Sequence, residues 1–504
     1  MASRSRLAAA CIAAALLCFA HRAAAQSQVG TPGERLPVRE LTLDNGMTFL
    51  ILEREGAPTV SFVVEFAVGG VHERLGTTGI AHLLEHLLFK GSTTIGTRDV
   101  EAERVLFRRM DALQDTILTL RGALEVDSAR LRGLDAGIEA LEDSARALVV
   151  PNEFDRILSR NGARGLNATT TSEATTYFVE LPANRTELWF ALESDRMRDP
   201  VFREFFTERD VVMEERRLRV ETSPGGQLYE GHLAAAFTMH PYGVPVVGYM
   251  SDLESLTRGQ VAEYYRRYYG PNNAVVAVVG AVDPDRIEAW ARQYFGDLEP
   301  GDPPPPVLAR EPEQDGVRRV EIRVDAGPAL RMGWKVPSAT HPDAPALAML
   351  AALLTGGTTA HLQRTLVEEG RVATYVGTSM GPGERYPRLF TVDVTPRTPH
   401  TPAEVETAVL DALAAFTRET PAEADLERVR TRIAAGEVRR LQSNLGLALQ
   451  LAASEAALGD WQGAFRLSDR IRDVTPEEVR DVARRYLRPE TLTVAALVRK
   501  EEGR

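Results

Sequence analysis

Three polar side chains interrupt an otherwise apolar stretch, Ile80-Ala81-His82-Leu83-Leu84-Glu85-His86-Leu87-Leu88-Phe89. On a helix, His82 and His86 stand four apart and project from one face, so both imidazoles reach a single metal ion. Glu85, three positions after His82, lies beside them, where a carboxylate can take a proton from metal-bound water. The order His-x-x-Glu-His inverts the better-known His-Glu-x-x-His zinc helix. Zinc accepts imidazole nitrogen and carboxylate oxygen, and a catalytic site keeps one position open for water. The metal lowers the pKa of that water toward about 7, and a carboxylate base shuttles protons to the leaving group. Three polar groups on one side of an apolar helix otherwise lack a reason to be there, unless they share a partner. Ligand type alone leaves zinc, manganese and cobalt open, with one zinc per chain as the expectation.

The elements that must position this helix are legible around it. Leu41 to Leu52 reads as two strands about an Asp44-Asn45-Gly46 turn, and Thr59 to Ala67 as a further apolar, β-branched strand. Gly69-Gly70 and Gly76-Thr77-Thr78-Gly79 then lead into a helix starting near Ile80. An internal repeat runs through the chain. Thr257, Val261, Arg266-Arg267-Tyr268 and Pro271 recur at one constant offset as Thr475, Val479, Arg484-Arg485-Tyr486 and Pro489. An alternating apolar run follows each set, so the unit is helix, turn, strand, and the chain has two related α/β halves. The Pro-rich stretch 299–312 separates them as a stiff linker. Residues 101–148 carry apolar residues at three-four spacing with charges between, broken near Gly122 and Ser128. They read either as an antiparallel helical hairpin projecting from the first half or as a helical layer packed on it.

A chain of 504 residues exceeds one core. Its net charge of −12 argues against nucleic-acid binding, which needs a basic face. Arg4 and Arg6, the apolar run Leu7 to Ala20 and Ala23-Ala24-Ala25 form a signal peptide over residues 1–25, so export to the periplasm or beyond is expected. No later run is long and apolar enough to span a bilayer. Cys11 and Cys18 both lie in the signal segment, leaving the mature chain without thiol or disulfide.

With these residues in view, the sequence resembles the pitrilysin, or insulinase and processing-peptidase, family of zinc metallopeptidases, from about Leu36 to Val498. The resemblance implies an α+β fold of two related α/β halves with a helical hairpin inserted in the first. It implies a zinc-binding catalytic domain over 26–298 and a homologous domain over 313–504. It also implies a third ligand, a glutamate on a later helix, with a supporting glutamate seven residues before it. Glu215 and Glu208 match, and Glu215 is preferred over Glu214, which lies about 100° away on a helix. Asn167, Ala168 and Thr169 look like the edge strand along which substrate adds as a β-strand. His240 falls in a loop of structural character.

One part of the family pattern is missing. Active relatives carry an arginine and a tyrosine, seven apart, after a Gly-rich turn in the second half, where they hold the scissile carbonyl. The matching turn is Thr355-Gly356-Gly357, and the expected positions hold Val367 and Thr374. Loss of such donors costs about 10²- to 10³-fold in rate. Either the chain is the zinc-bearing subunit of a two-chain peptidase, the reading preferred, or Arg371 and Tyr375 substitute in a self-sufficient homodimer. A non-catalytic binding module on the same fold and a hydrolase of non-peptide substrates are the other readings.

Overall fold

Phe49 and Ile51 point to one face of a sheet and Leu50 and Leu52 to the other, and all four are buried. A strand covered on both faces has no polar side to show, which is why this segment reads as an unbroken apolar run. It belongs to the first of two mixed sheets in the computed structural model, which describes residues 36–125 and 127–500. The signal peptide expected over residues 1–25, with both cysteines, lies outside the described residues.

In the first half the order is β1 (Arg39–Thr42), β2 (Thr48–Glu53), β3 (Thr59–Phe66), α1 (Ile80–Leu87), α2 (Val100–Arg121), α3 (Ser128–Arg146), α4 (Glu153–Arg160), β4 (Arg164–Thr170), β5 (Thr175–Pro182), α5 (Thr186–Arg198), α6 (Phe205–Arg216), α7 (Pro224–Ala236), α8 (Met250–Ser255), α9 (Arg258–Tyr268), β6 (Ala274–Gly280) and α10 (Pro284–Phe295). The second half comprises β7 (Arg318–Val324), β8 (Ala329–Val336), α11 (Ala344–Thr355), β9 (Ala373–Gly381), β10 (Arg388–Pro396), α12 (Pro402–Arg418), α13 (Glu423–Gln442), α14 (Asn444–Leu458), α15 (Gly463–Asp473), α16 (Pro476–Tyr486) and β11 (Leu492–Arg499).

The sheets run β1-β2-β6-β3-β5-β4 and β7-β11-β8-β10-β9. Without β1 they correspond strand for strand. Each has a single parallel pair, β2 with β6 and β7 with β11. The sequence repeat falls on matching elements. Thr257 and Thr475 are both N-caps closed by a capping box, with Gln260 and Glu478 as the reciprocal partners. Each helix leads through a Pro-initiated turn into the later strand of the parallel pair, β6 or β11.

Each half lends a helix to the other. Leu447, Ala448, Leu451 and Ala452 of α14 pack on Leu50, Leu52, Val63, Val275, Ala277 and Val279 of the first sheet. Conversely, Leu228 of α7 packs on Ala495 and Leu497 of the second. His232 of α7 is fully buried against Gly333 of β8, where an added Cβ would lie 2.6 Å from the imidazole. The linker between the halves is tied down at Glu311. Its carboxylate accepts from the backbone N–H of Thr238, Met239 and His240 and from Lys335 Nζ at 2.8 Å.

Helices α2 and α3 pair as a hairpin, and they satisfy both readings of residues 101–148. The root enters the first core through Phe107, Met110, Ile117, Ile138 and Ala145, while the far end is exposed at Leu124. Glu103 of α2 is wholly buried, paired with Arg203.

Candidate metal centre

The helix that carries the histidines begins under unusual constraint. Gly79, its N-cap, has φ +86, and its backbone crosses that of Gly248 so closely that an added Cβ would lie 2.8 Å from Val247 O. No side chain of the preceding turn caps α1. The carboxylate of Glu73 does so instead, accepting from Gly79 N at 2.8 Å and Ala81 N at 2.9 Å. These are amide groups a helix leaves unpaired, and their bonds oppose the burial that pushes the Glu73 carboxyl up to about 8. Asp252 holds the loop before it through Gly76 N, Thr78 N and Thr78 Oγ1. Leu83, Leu84 and Leu87 anchor the helix in the core.

With α1 fixed in this way, His82 and His86 present their rings edge to face, with centroids 5.0 Å apart. Glu215 comes from the last turn of α6, just before the helix widens into a π-helical turn over Arg217–Glu221, a distortion common at functional sites. His82 Nε2 lies 3.5 Å from Glu215 Oε2, and His86 Nε2 lies 3.8 Å from Glu215 Oε1. One donor atom from each of His82, His86 and Glu215 falls within 4.8 Å of the others. Two neutral-capable imidazoles and a carboxylate are the donor set of a catalytic zinc site. Glu215 Oε2 is buried and accepts no well-formed hydrogen bond, although Arg219 Nη2 lies 3.2 Å away, which leaves the oxygen available to a cation. Glu214 turns away to pair with Arg217 and is mostly exposed.

The surrounding groups orient these three. His86 Nδ1 donates to Glu208 Oε2 at 3.2 Å, the outer carboxylate that metal-binding histidines commonly use. Burial alone would lower the His86 pKa, but the Glu208 bond and the charges of Glu215, Glu208 and Glu85 raise it on balance. Burial, with His86 and Arg219 adding to it, holds His82 neutral, its pKa down to about 3. Arg219 Nη2 approaches Glu215 Oε2 at 3.2 Å from the π-helical turn.

Glu85 stands next to the cluster. Thr170 Oγ1, at the end of β4, donates to Glu85 Oε2 at 2.5 Å. Burial pushes the Glu85 carboxyl up despite that bond, toward the range in which a general base works near neutral pH. β4 is an edge strand of its sheet. Along it Ala168 is buried while Asn167 and Thr169 are exposed, and Thr170, two beyond Ala168, is the residue that touches Glu85. The sequence reading stopped one residue short of it. Thr170, Glu73 and Asp252 had no signal in the sequence, because each acts on a residue placed near it only by the fold. His240 packs in its loop, accepting from Tyr242 N at 3.2 Å.

In the second half Val367 packs against the core and Thr374 lies on β9, donating to Thr395 O. Arg371 has φ +54 and Tyr375 is 57% exposed. No arginine or tyrosine occupies either expected position.

The insulinase (peptidase family M16) model matches residues 48–104 and 149–248, and the model described as peptidase M16 inactive domain matches residues 255–433. The gap between the first two stretches falls on the α2–α3 hairpin. The chain is 30% identical over 348 residues to the zinc protease PqqE of Helicobacter pylori, covering 67% of this chain and 66% of that protein. It is 26% identical to an uncharacterized zinc protease of Mycobacterium leprae, covering 88% of both chains. The crystal structure of a protease from Helicobacter pylori superposes with a TM-score of 0.76 at 24% identity, covering 92% of this chain and all of that one. The chain therefore belongs to the pitrilysin, or insulinase, family of metallopeptidases.

Proposed function

We propose that this chain is an exported zinc-dependent endopeptidase that hydrolyses peptides or unfolded segments, and that it is the zinc-bearing subunit of a two-chain enzyme. The observation that carries the reading is the convergence of His82, His86 and Glu215 with Glu85 beside them. His82 Nε2, His86 Nε2 and the Glu215 carboxylate would hold the zinc. Bound there, zinc supplies a Lewis acid that activates water near neutral pH and polarises a carbonyl.

The residues of the chain supply the rest. A substrate strand adds along the free edge of β4 through main-chain hydrogen bonds, which brings a peptide carbonyl beside Glu85. Glu85, steadied by Thr170, takes a proton from the attacking water as its oxygen bonds to the carbonyl carbon. The same carboxyl then gives that proton to the departing nitrogen as the C–N bond breaks. Glu208 keeps the His86 ring in place throughout. Val367 has no donor and the Thr374 hydroxyl is taken up by Thr395 O, so neither position offers the arginine or tyrosine that would hold the developing oxyanion, and this favours a related partner chain over a self-sufficient homodimer. The non-catalytic reading is disfavoured because Glu85 has no structural duty beyond its bond to Thr170.

The test uses the mature chain, zinc-loaded, on a quenched fluorescent peptide pool beside a Glu85→Gln control. Cleavage by the chain alone that disappears in the control supports a peptidase but overturns the need for a partner. No cleavage with one zinc per chain bound supports the two-chain reading. No cleavage and no zinc overturns the catalytic reading in favour of a binding module.

A further inference from the structure

His82 and His86 come from α1, Glu215 from α6, and no main-chain hydrogen bond fixes one helix against the other. A three-ligand site tolerates only small errors in such a placement. Besides the His86–Glu208 bond, Lys90 spans the two helices. It ends the short 3-10 turn Leu88–Lys90 that continues α1. Its ammonium lies 2.6 Å from Glu208 Oε1 and 3.0 Å from Glu204 Oε2. Glu208 faces inward from the first turn of α6 and is 8% exposed. Glu204 is the N-cap of the same helix and stands at φ +56, a conformation that costs a non-glycine residue energy and persists only when its surroundings enforce it.

Lys90 is itself held from behind. Its carbonyl oxygen accepts from Arg203 Nη1 at 2.6 Å. The same guanidinium also binds Ile95 O and Ser92 O and pairs with the buried Glu103 at the root of the helical hairpin. Gly91, at φ +94, then turns the chain away, in a place where an added Cβ would lie 2.3 Å from Ile95 O. The lysine side chain therefore leaves a fixed point and reaches a fixed target.

The consequence for the metal centre follows from the two oxygens of Glu208. Lys90 occupies Oε1, which leaves Oε2 to accept from His86 Nδ1. With its proton committed to Nδ1, His86 turns the lone pair of Nε2 toward Glu215 and His82. We propose that Lys90 is a positioning residue of the metal centre: it sets the orientation of His86 through Glu208 and fixes α6 against α1 through Glu204 and Glu208 together. The inference rests on the reading of His82, His86 and Glu215 as the metal ligands. Lys90 touches neither the metal position nor Glu85.

The measurement is the zinc dissociation constant of the full mature chain, by competition with a chromophoric chelator, with the melting temperature of each metal-free variant as a check on folding. Lys90→Met is expected to weaken zinc binding about 10- to 100-fold, and Lys90→Arg to recover most of that loss. In a Glu208→Gln background Lys90→Met should cost clearly less than in the unaltered chain, since the route through the His86 ring is already lost and only the bond to Glu204 remains. A clamp that only stabilised the fold would lower the melting temperature while the two losses multiplied. If Lys90→Met fails to fold, Lys90→Gln, one bond shorter but still a neutral hydrogen-bond donor, takes its place in the same cycle. Unchanged zinc affinity in the lysine variants, while His82→Ala loses zinc, overturns the role of Lys90 alone, as do losses that multiply. Zinc retained by His82→Ala overturns the ligand reading beneath it.

Discussion

Helices α1 and α11 occupy the same place in the two halves. Each follows the strand that pairs antiparallel with β6 or β11, namely β3 or β8, and each packs against its copy of the repeated helix, α9 or α16. Helix α1 carries His82, Glu85 and His86, whereas α11 reads Ala-Pro-Ala-Leu-Ala-Met-Leu-Ala-Ala-Leu-Leu-Thr. The helices facing them differ in the same sense. Helix α6 turns Glu208 and Glu215 toward α1. On α13 the carboxylates of Glu423 and Glu427 are taken up by Arg430, and Arg432 reaches Ala352 O at the end of α11. The frame therefore needs only an apolar stripe on this helix. The polar groups of α1 are an addition that the fold does not require, which is the physical reason to assign them to chemistry rather than to packing.

The largest test of this contrast is to restore in the second half what it lacks. In the presence of zinc, Val367→Arg with Thr374→Tyr should raise peptide cleavage by about 10²- to 10³-fold over the unaltered chain alone, the worth of an oxyanion donor. A rate that stays flat, with the double variant folded and zinc bound, would mean that positions 367 and 374 never meet the zinc-bearing half of another copy.

The next effect concerns how the halves are joined. Burial would raise the Glu311 pKa, but Lys335 and the N–H groups of Met239, Thr238 and His240 bring it down to about 2. A carboxyl that is depressed on folding stabilises the protein above its unfolded pKa, near 4.5, and loses that contribution as pH falls through the folded value. Glu311→Gln should therefore destabilise by about 2–3 kcal/mol at pH 7, less than the full shift because solvent screens part of the interaction. Urea unfolding of the two proteins should converge between pH 4.5 and 2. A constant gap across that range would show that Glu311 acts by shape and not by charge.

The smallest expected effect comes from the face that α7 shares with the second sheet. Gly333→Ala pushes a methyl into the His232 ring, which is enclosed on all sides, and overpacking of this kind costs about 1–3 kcal/mol. The matching glycine-free contact of α14 on the first sheet should accept Ala448→Gly with about 1 kcal/mol. Differential scanning calorimetry of both variants would tell which of the two lent helices is the tighter.

Much of this was legible in the sequence, for stated reasons. Local chemistry has local signatures. The His82–His86 spacing, the repeat that begins at Thr257 and Thr475 and the Pro-rich stretch each declare themselves within a few residues. Glu215 needed the family resemblance, because an acidic helix by itself is usually a solvated face. Thr170, Glu73, Asp252, Lys90 and Glu311 could not be read. Their partners are brought near by strand order and helix packing, and no periodicity records such pairings. The hairpin at 101–148 shows the same limit. Its spacing predicts helices, but whether its root enters a core depends on Arg203, a residue far along the chain.

The exchange of α7 and α14 between the halves has a kinetic meaning. The faces of β2, β3 and β6 that bear Leu50, Leu52, Val63, Val275 and Val279 stay wet until residues 444–458 have been synthesised, and α7 has no sheet to rest on until β11, near the C-terminus, is paired. Contacts so distant along the chain close late and slowly. During synthesis the first half waits with an apolar surface exposed, a state prone to aggregation, and either half cut away alone would bare the sheet face that the other's helix covers.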